Sequence, residues 1–183
     1  MEKHYHTSDW TSYEMLQSAN ALRSLAIADS GQSKKDPLLF LIPSILMAYT
    51  AIQTRVNEAV EEYLQKHKAS FPVNYVRKVA KQAPLDTKLV ILTTYLTGRT
   101  FPRDTGLWND FVVLQRLRNH LVHYELKQPE DEEWKGIFYQ DIVHEQVNPD
   151  EAKKAVETAK AMMNNLNALY FDNQGDYYDN IKT

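Results

Sequence analysis

The chain has 183 residues, a formal net charge of −3, 43% hydrophobic and 25% charged residues, and no cysteine. That length suits one domain with a proper core, or one with appendages, and the composition is ordinary for a soluble globular protein. The missing cysteine excludes a disulfide framework, a thiolate metal site and a thiol nucleophile, and a net negative charge does not advertise a nucleic-acid binder.

At the N-terminus, MEKHYHTSDW has no apolar stretch of the kind a secretory signal needs, so a cytoplasmic protein is expected. His4 and His6 lack a further ligand at fixed spacing, which argues against a metal site there. Thr7, Ser8 and Asp9 offer N-caps for a helix over 8–29, with Tyr13, Leu16, Leu22, Leu25 and Ala26 on its apolar face. SGQSKKDP then reads as a glycine cap, a polar linker and a proline, which sets residues 1–31 apart as a helical appendage.

The apolar run over 38–52 is about 15 residues long against the ~20 that span a bilayer, so a buried helix is expected, without membrane contact. The spacing predicts a core helix over 44–67, with Pro43 in its first turn and Ile45, Tyr49, Ile52, Val56, Val60 and Tyr63 in one stripe. Glu58 lies off that stripe and reads either as solvated or as a partner for Arg118 across the bundle. A short helix within 70–82 carries Arg77, Lys78 and Lys81 between Pro72 and Pro84. Leu85, Leu89, Leu92 and Leu96 predict a helix over 85–97, closed by Gly98 as its left-handed cap residue. The loop 98–106 carries Arg99 and Arg103, which are either solvated charges or part of a phosphate-tracking surface.

A helix over 107–126 follows, and then Pro129 opens an acidic arm, PEDEEW. The pattern of Ile137, Tyr139 and Ile142 fits a hairpin or a loop equally. Asn148, Pro149 and Glu151 form a helix start, and Ala152, Val156, Ala159, Met163, Leu166 and Tyr170 continue it over 149–170. The tail 172–183 is polar and acidic. The expected fold is therefore all-α: one up-and-down bundle of four to five long helices, spanning 1–183 as a single domain.

Chemistry concentrates in LQRLRNHLVHYEL at the end of the 107–126 helix. At about 100° per residue, Leu107, Phe111, Leu114, Leu117, Leu121 and Tyr124 share the core stripe, and Arg118 lies on its edge. A guanidinium there needs partners, because desolvating it alone is costly. Asn119 and His123 are four apart and share a neighbouring face, so the amide can orient the imidazole. One helix thus carries a permanent cation, a polar orienting group and a group that titrates near neutrality.

Arg118, Asn119 and His123 in RNHLVH match the R-N-x-x-x-H form of the R-(x)4–6-H motif, and the chain resembles the HEPN superfamily of small helical bundles. The stretch AYTAIQTRVNEAVEEYL resembles the first long core helix of that superfamily. The resemblance implies metal-independent cleavage of RNA through its own 2′-hydroxyl, without a cofactor. Arg118, Asn119 and His123 would be the catalytic residues. Outside the matched motif, the loop basics Arg99 and Arg103, and Tyr124 next to His123, are the candidate substrate contacts. The resemblance also implies a homodimer, because many members build one composite site from two chains. Arg118 and His123 diverge by about 140° on an ideal helix, and a twofold axis near the helix end brings each opposite its partner's neighbourhood. For a toxin, a cognate antitoxin would be a further partner. The chain departs from the toxin branch that carries H-x-Y, since Tyr124 follows His123 directly and Glu125 takes the second position.

Two other readings fit the same residues. A non-catalytic, dimeric HEPN-like module would bind RNA, nucleotide or a protein partner, and the acidic arm and net charge favour it. Alternatively His120 and His123, as H-x-x-H, would hold a metal, although carboxylates at matching positions are absent from that helix. No phosphate-binding glycine loop and no G-x-S-x-G elbow occur.

Overall fold

The structure is a computed structural model that describes residues 8–29, 36–67, 70–122 and 146–171. It is all-α, with no strand among the described residues. The helices are α1 (Ser8–Asp29), α2 (Leu38–Lys66), α3 (Val73–Gln82), α4 (Leu85–Thr87), α5 (Thr93–Thr97), α6 (Gly106–Val122) and α7 (Pro149–Phe171). A π-helical turn, Lys88–Leu92, joins α4 to α5.

Side-chain pairs fix the directions of the long helices. Ser12 meets Glu58 and Ala19 meets Ser44, so α1 runs against α2. Arg55 meets Asn167 and Tyr63 meets Tyr170, so α2 and α7 run together. The start of α7 lies beside the end of α6, where His120 faces Gln146. The four long helices therefore alternate up and down, and α3 to α5 form an excursion between α2 and α6. This places the RNHLV end of α6 beside the start of α7, at the opposite end of the bundle from the C-termini of α2 and α7.

The core follows the helical spacing in the sequence. Ile45, Ile52, Val56 and Val60 of α2 are buried together with Ala152, Val156, Ala159, Met163 and Leu166 of α7. Burial of this apolar area, at roughly 25 cal/mol per Å², drives association of the helices. Asn148 Oδ1 accepts the N–H of Glu151 at 2.9 Å and caps α7 as the sequence implies. Gly98 takes φ +71°, the left-handed conformation that closes α5, and its N–H reaches the Thr94 carbonyl at 2.9 Å.

Three expectations change. Helix α2 starts at Leu38, so Pro43 lies inside the helix rather than in its first turn. The start signal is Asp36, whose carboxylate accepts the N–H of Leu38 at 2.9 Å. With those added turns α2 reaches 29 residues, long and apolar enough to cross a membrane by length and composition, and half of its most apolar window is buried in the bundle. Leu25, placed on the apolar face of α1, is 53% exposed. Finally, the helix over 85–97 is not regular: Thr93 turns both its N–H and its hydroxyl to the Lys88 carbonyl, five residues back, widening one turn.

Candidate functional site

The C-terminal half of α6 is anchored by Phe111, Leu114 and Leu117, all buried. These fix the rotation of the helix and so the placement of Arg118, which is half-buried. The Arg118 guanidinium carbon stands 5.5 Å from the ring centroid of Tyr49 on α2. Tyr49 is itself held parallel to Phe111, with an interplanar angle of 6°. The edge position on the core stripe is thus satisfied by a π face rather than by a carboxylate. Glu58 is not the partner: it faces α1, and among the described residues no carboxylate forms an ion pair with Arg118.

Nη1 of Arg118 donates to Oδ1 of Asn119 at 3.0 Å. The Asn119 carbonyl oxygen is therefore engaged by the guanidinium of the residue before it. His123 and Tyr124, together with the acidic arm and residues 137–142, lie outside the described residues. His120 is exposed, with Nδ1 3.4 Å from Oε1 of Gln146. Among the described residues no group of three His, Asp or Glu converges in the manner of a metal centre.

Arg99 and Arg103 do not join Arg118. Arg99 donates to the carbonyl of Ala168 in the last turn of α7 at 3.2 Å. Ala168 is 17 residues along α7 from Glu151, which borders the α6 motif end at Leu117, a distance of about 26 Å. Arg103 lies over the ring of Trp108, 5.4 Å from its centroid, in the first turn of α6. One phosphate cannot be held by all three guanidinia of one chain.

Among the described residues a second buried polar group is densely connected. Arg55 is 4% exposed and Glu58 7% exposed, both on the core helix α2. Nε of Arg55 donates to Asn167 Oδ1 at 2.7 Å, and Nη1 reaches Glu62 at 3.0 Å and Glu58 at 3.5 Å. Ser12 donates its hydroxyl to Glu58 at 2.7 Å, and its N–H lies 3.4 Å from the other carboxylate oxygen. Burial pushes the Glu58 carboxyl up from its ordinary value, against the Ser12 hydrogen bond and the Arg55 charge. The signal in the sequence is the spacing of Arg55, Glu58 and Glu62, three and seven apart on the most apolar helix.

A second buried cation lies in the π turn. Lys88 is 3% exposed, and its Nζ donates to Asn57 Oδ1 at 2.9 Å. Burial pushes its ammonium below the ordinary lysine value.

Comparison with protein-family models, with curated proteins and with solved structures finds no match.

Proposed function

We propose that this chain is a HEPN-like, metal-independent endoribonuclease, a toxin or defence effector, whose site is completed by a second copy of the chain. The observation that carries the reading is the environment of Arg118: five residues before His123, at the edge of the core, seated on Tyr49 and facing no described carboxylate. A guanidinium held in this way keeps its charge and its planar fork for an anion.

The chemistry needs few groups. The 2′-hydroxyl of the RNA attacks the adjacent phosphorus, a proton leaves that hydroxyl, and the departing 5′-oxygen gains one. An imidazole with pKa near ~6.5 can take or give that proton at neutral pH, which is the role of His123. Arg118 stabilises the charge that grows on the phosphorane oxygens. Asn119, bonded to Arg118, holds the fork in its plane. In a twofold dimer, Arg118 of one chain and His123 of the other flank one phosphate.

The test is incubation of the purified protein with single-stranded RNA in EDTA. Fragments ending in 2′,3′-cyclic phosphate, with 5′-hydroxyl ends downstream, support the reading, as does their loss in His123→Ala. An inactive wild type overturns it. The second reading, a non-catalytic dimeric module for RNA, nucleotide or protein, is favoured by one observation: the Arg118–Asn119 hydrogen bond engages the motif within its own chain. Binding without cleavage would select it.

A further inference from the structure

The end of the bundle opposite the motif carries a chain of rings. Tyr63, in the last turns of α2, packs on His67 at 4.3 Å with planes tilted by 30°, and on Phe71 at 6.1 Å. Phe71 meets Tyr95 of α5 edge to face at 5.7 Å. On its other side Tyr63 meets Tyr170, 5.7 Å away, and Tyr170 leads to Phe171. Tyr170 is buried, its hydroxyl shared with Thr93 and pushed up to about 12, so this half of the chain of rings belongs to the core.

The other half does not. His67 is exposed and Tyr95 is 55% exposed, and neither fills a core position. Beside them the Lys66 ammonium stands 4.8 Å from the centroid of Phe171 and pairs with no carboxylate among the described residues. Arg99, exposed in the loop after α5 and donating to the Ala168 carbonyl in the last turn of α7, adds a second cation. Flat exposed rings interleaved with cations suit unstacked bases joined by phosphates.

We propose that this end of the bundle is a base-stacking platform for single-stranded RNA, with His67 and Tyr95 as its faces and Lys66 and Arg99 as its phosphate contacts. The choice of RNA rests on the ribonuclease reading above. A duplex is excluded by the same physics, because its base faces are already stacked on one another. The C-termini of α2, α5 and α7 meet here and contribute partial negative charge, which the two cations offset. Stacking, not charge, therefore supplies most of the binding, and the salt dependence is shallow. For two neutralised phosphates of a single strand the slope is about −1.4. Tyr63 lies 14 residues from Tyr49 along α2, about 21 Å, so the platform holds a strand several nucleotides away from the Arg118 site.

The experiment is fluorescence anisotropy with a fluorescein-labelled single-stranded uridine decamer, using the full chain carrying His123→Ala to prevent cleavage. Adding His67→Ala or Tyr95→Ala should weaken binding by about 5- to 150-fold, the range for loss of one stacked base. Tyr95→Leu preserves apolar contact on Phe71 but removes the π face, and it should weaken binding as Tyr95→Ala does. Leu25→Ala, at the far end, should bind as its parent. The platform is overturned if both ring variants retain the parent affinity, if a duplex binds equally well, or if the parent does not bind the decamer. Cleavage by the unmodified chain is scored separately. Cleavage with unaltered binding in the ring variants removes the platform alone, and ring-dependent binding without cleavage removes the ribonuclease reading alone.

Discussion

The hydroxyl of Ser12 donates to a carboxylate oxygen of Glu58 at 2.7 Å, tying α1 to the core helix through a group whose cation, Arg55, is buried with it. The pairing is unequal. Arg55 has Glu62 and Asn167 as further partners, whereas the one cation facing Glu58 among the described residues is Arg55. Removing Arg55 therefore strands Glu58, but removing the Glu58 charge does not strand Arg55. Arg55→Met is expected to cost about 3–5 kcal/mol, the range for an uncompensated buried charge. Glu58→Gln should cost under about 1 kcal/mol, and Arg55→Met with Glu58→Gln should regain much of the loss. Urea denaturation of the three variants measures this, and additive losses would refute the coupling.

The same carboxyl sets a pH dependence. Its folded value is raised above the unfolded 4.5, chiefly by burial. The folded state thus holds the proton more tightly, and the contribution is fully present below 4.5 and lost as pH rises through the folded value. Wild type should lose stability over that window relative to Glu58→Gln, in which the group no longer titrates. Parallel unfolding curves from pH 4.5 upwards would contradict this.

Lys88 behaves in the opposite sense. Its ammonium is buried against one amide oxygen, that of Asn57, and burial lowers its value from 10.5. A depressed lysine detracts from stability below its folded value and ceases to do so as pH rises towards 10.5. Lys88→Met should be neutral or stabilising at pH 7, by analogy with apolar replacement of other buried charges. Asn57→Ala should cost about 1–3 kcal/mol by leaving the ammonium without its acceptor. Thermal melts at pH 7 and 10 check both, and the advantage of Lys88→Met should shrink at the higher pH.

Legibility in the sequence followed the strength of the periodic signal. Stripes at Ile45 to Val60 and Ala152 to Tyr170 are long and uninterrupted, and those residues are buried as their spacing requires. The cap at Asn148 and the left-handed Gly98 were equally plain, because each is a local demand of the backbone. Pro43 misled, since a missing N–H is tolerated within a helix whose neighbouring turns pack on α1. The π turn was hidden because Leu85, Leu89, Leu92 and Leu96 keep the spacing of a regular helix. The buried Arg55–Glu58 pair could not be placed because Asn167 on α7, which accepts from Arg55, and Ser12 on α1, which donates to Glu58, become neighbours only when the bundle closes. The pairing of Arg118 with Tyr49 is hidden for the same reason, although its position at the edge of the stripe was readable.

The twofold arrangement of the proposed site has its own consequence. Arg118 and His123 of one chain point away from each other on an ideal helix, so a single bundle offers half a site. Light scattering at micromolar concentration should report twice the chain mass of 21.3 kDa. Mixing Arg118→Ala with His123→Ala chains should restore part of the cleavage, because half of a composite dimer's two sites can then be intact. A monomeric mass together with no complementation would exclude the composite site.

The seat of Arg118 gives the sharpest test of the chemistry. Arg118→Lys keeps the charge but loses the planar fork, and if the fork grips the phosphorane the rate should fall by about 10²-fold or more. His120→Ala, outside the motif and bonded only to Gln146 among the described residues, should be nearly neutral. In the proposed site Tyr49 would act one step back, as a positioning residue beneath the Arg118 guanidinium. Tyr49→Phe keeps the ring beneath the guanidinium and should cleave as wild type does. Tyr49→Leu keeps bulk but not the π face, and a cation–π contact of about 0.5–2 kcal/mol implies a loss of about 2- to 30-fold. That loss should fall in kcat rather than in KM, because the fork matters most when charge has grown on the phosphorane oxygens. A purely structural tyrosine would lower the melting temperature in Tyr49→Leu and leave kcat per folded molecule unchanged. That outcome would separate Tyr49 from the site while leaving Arg118 to be judged by its own variants.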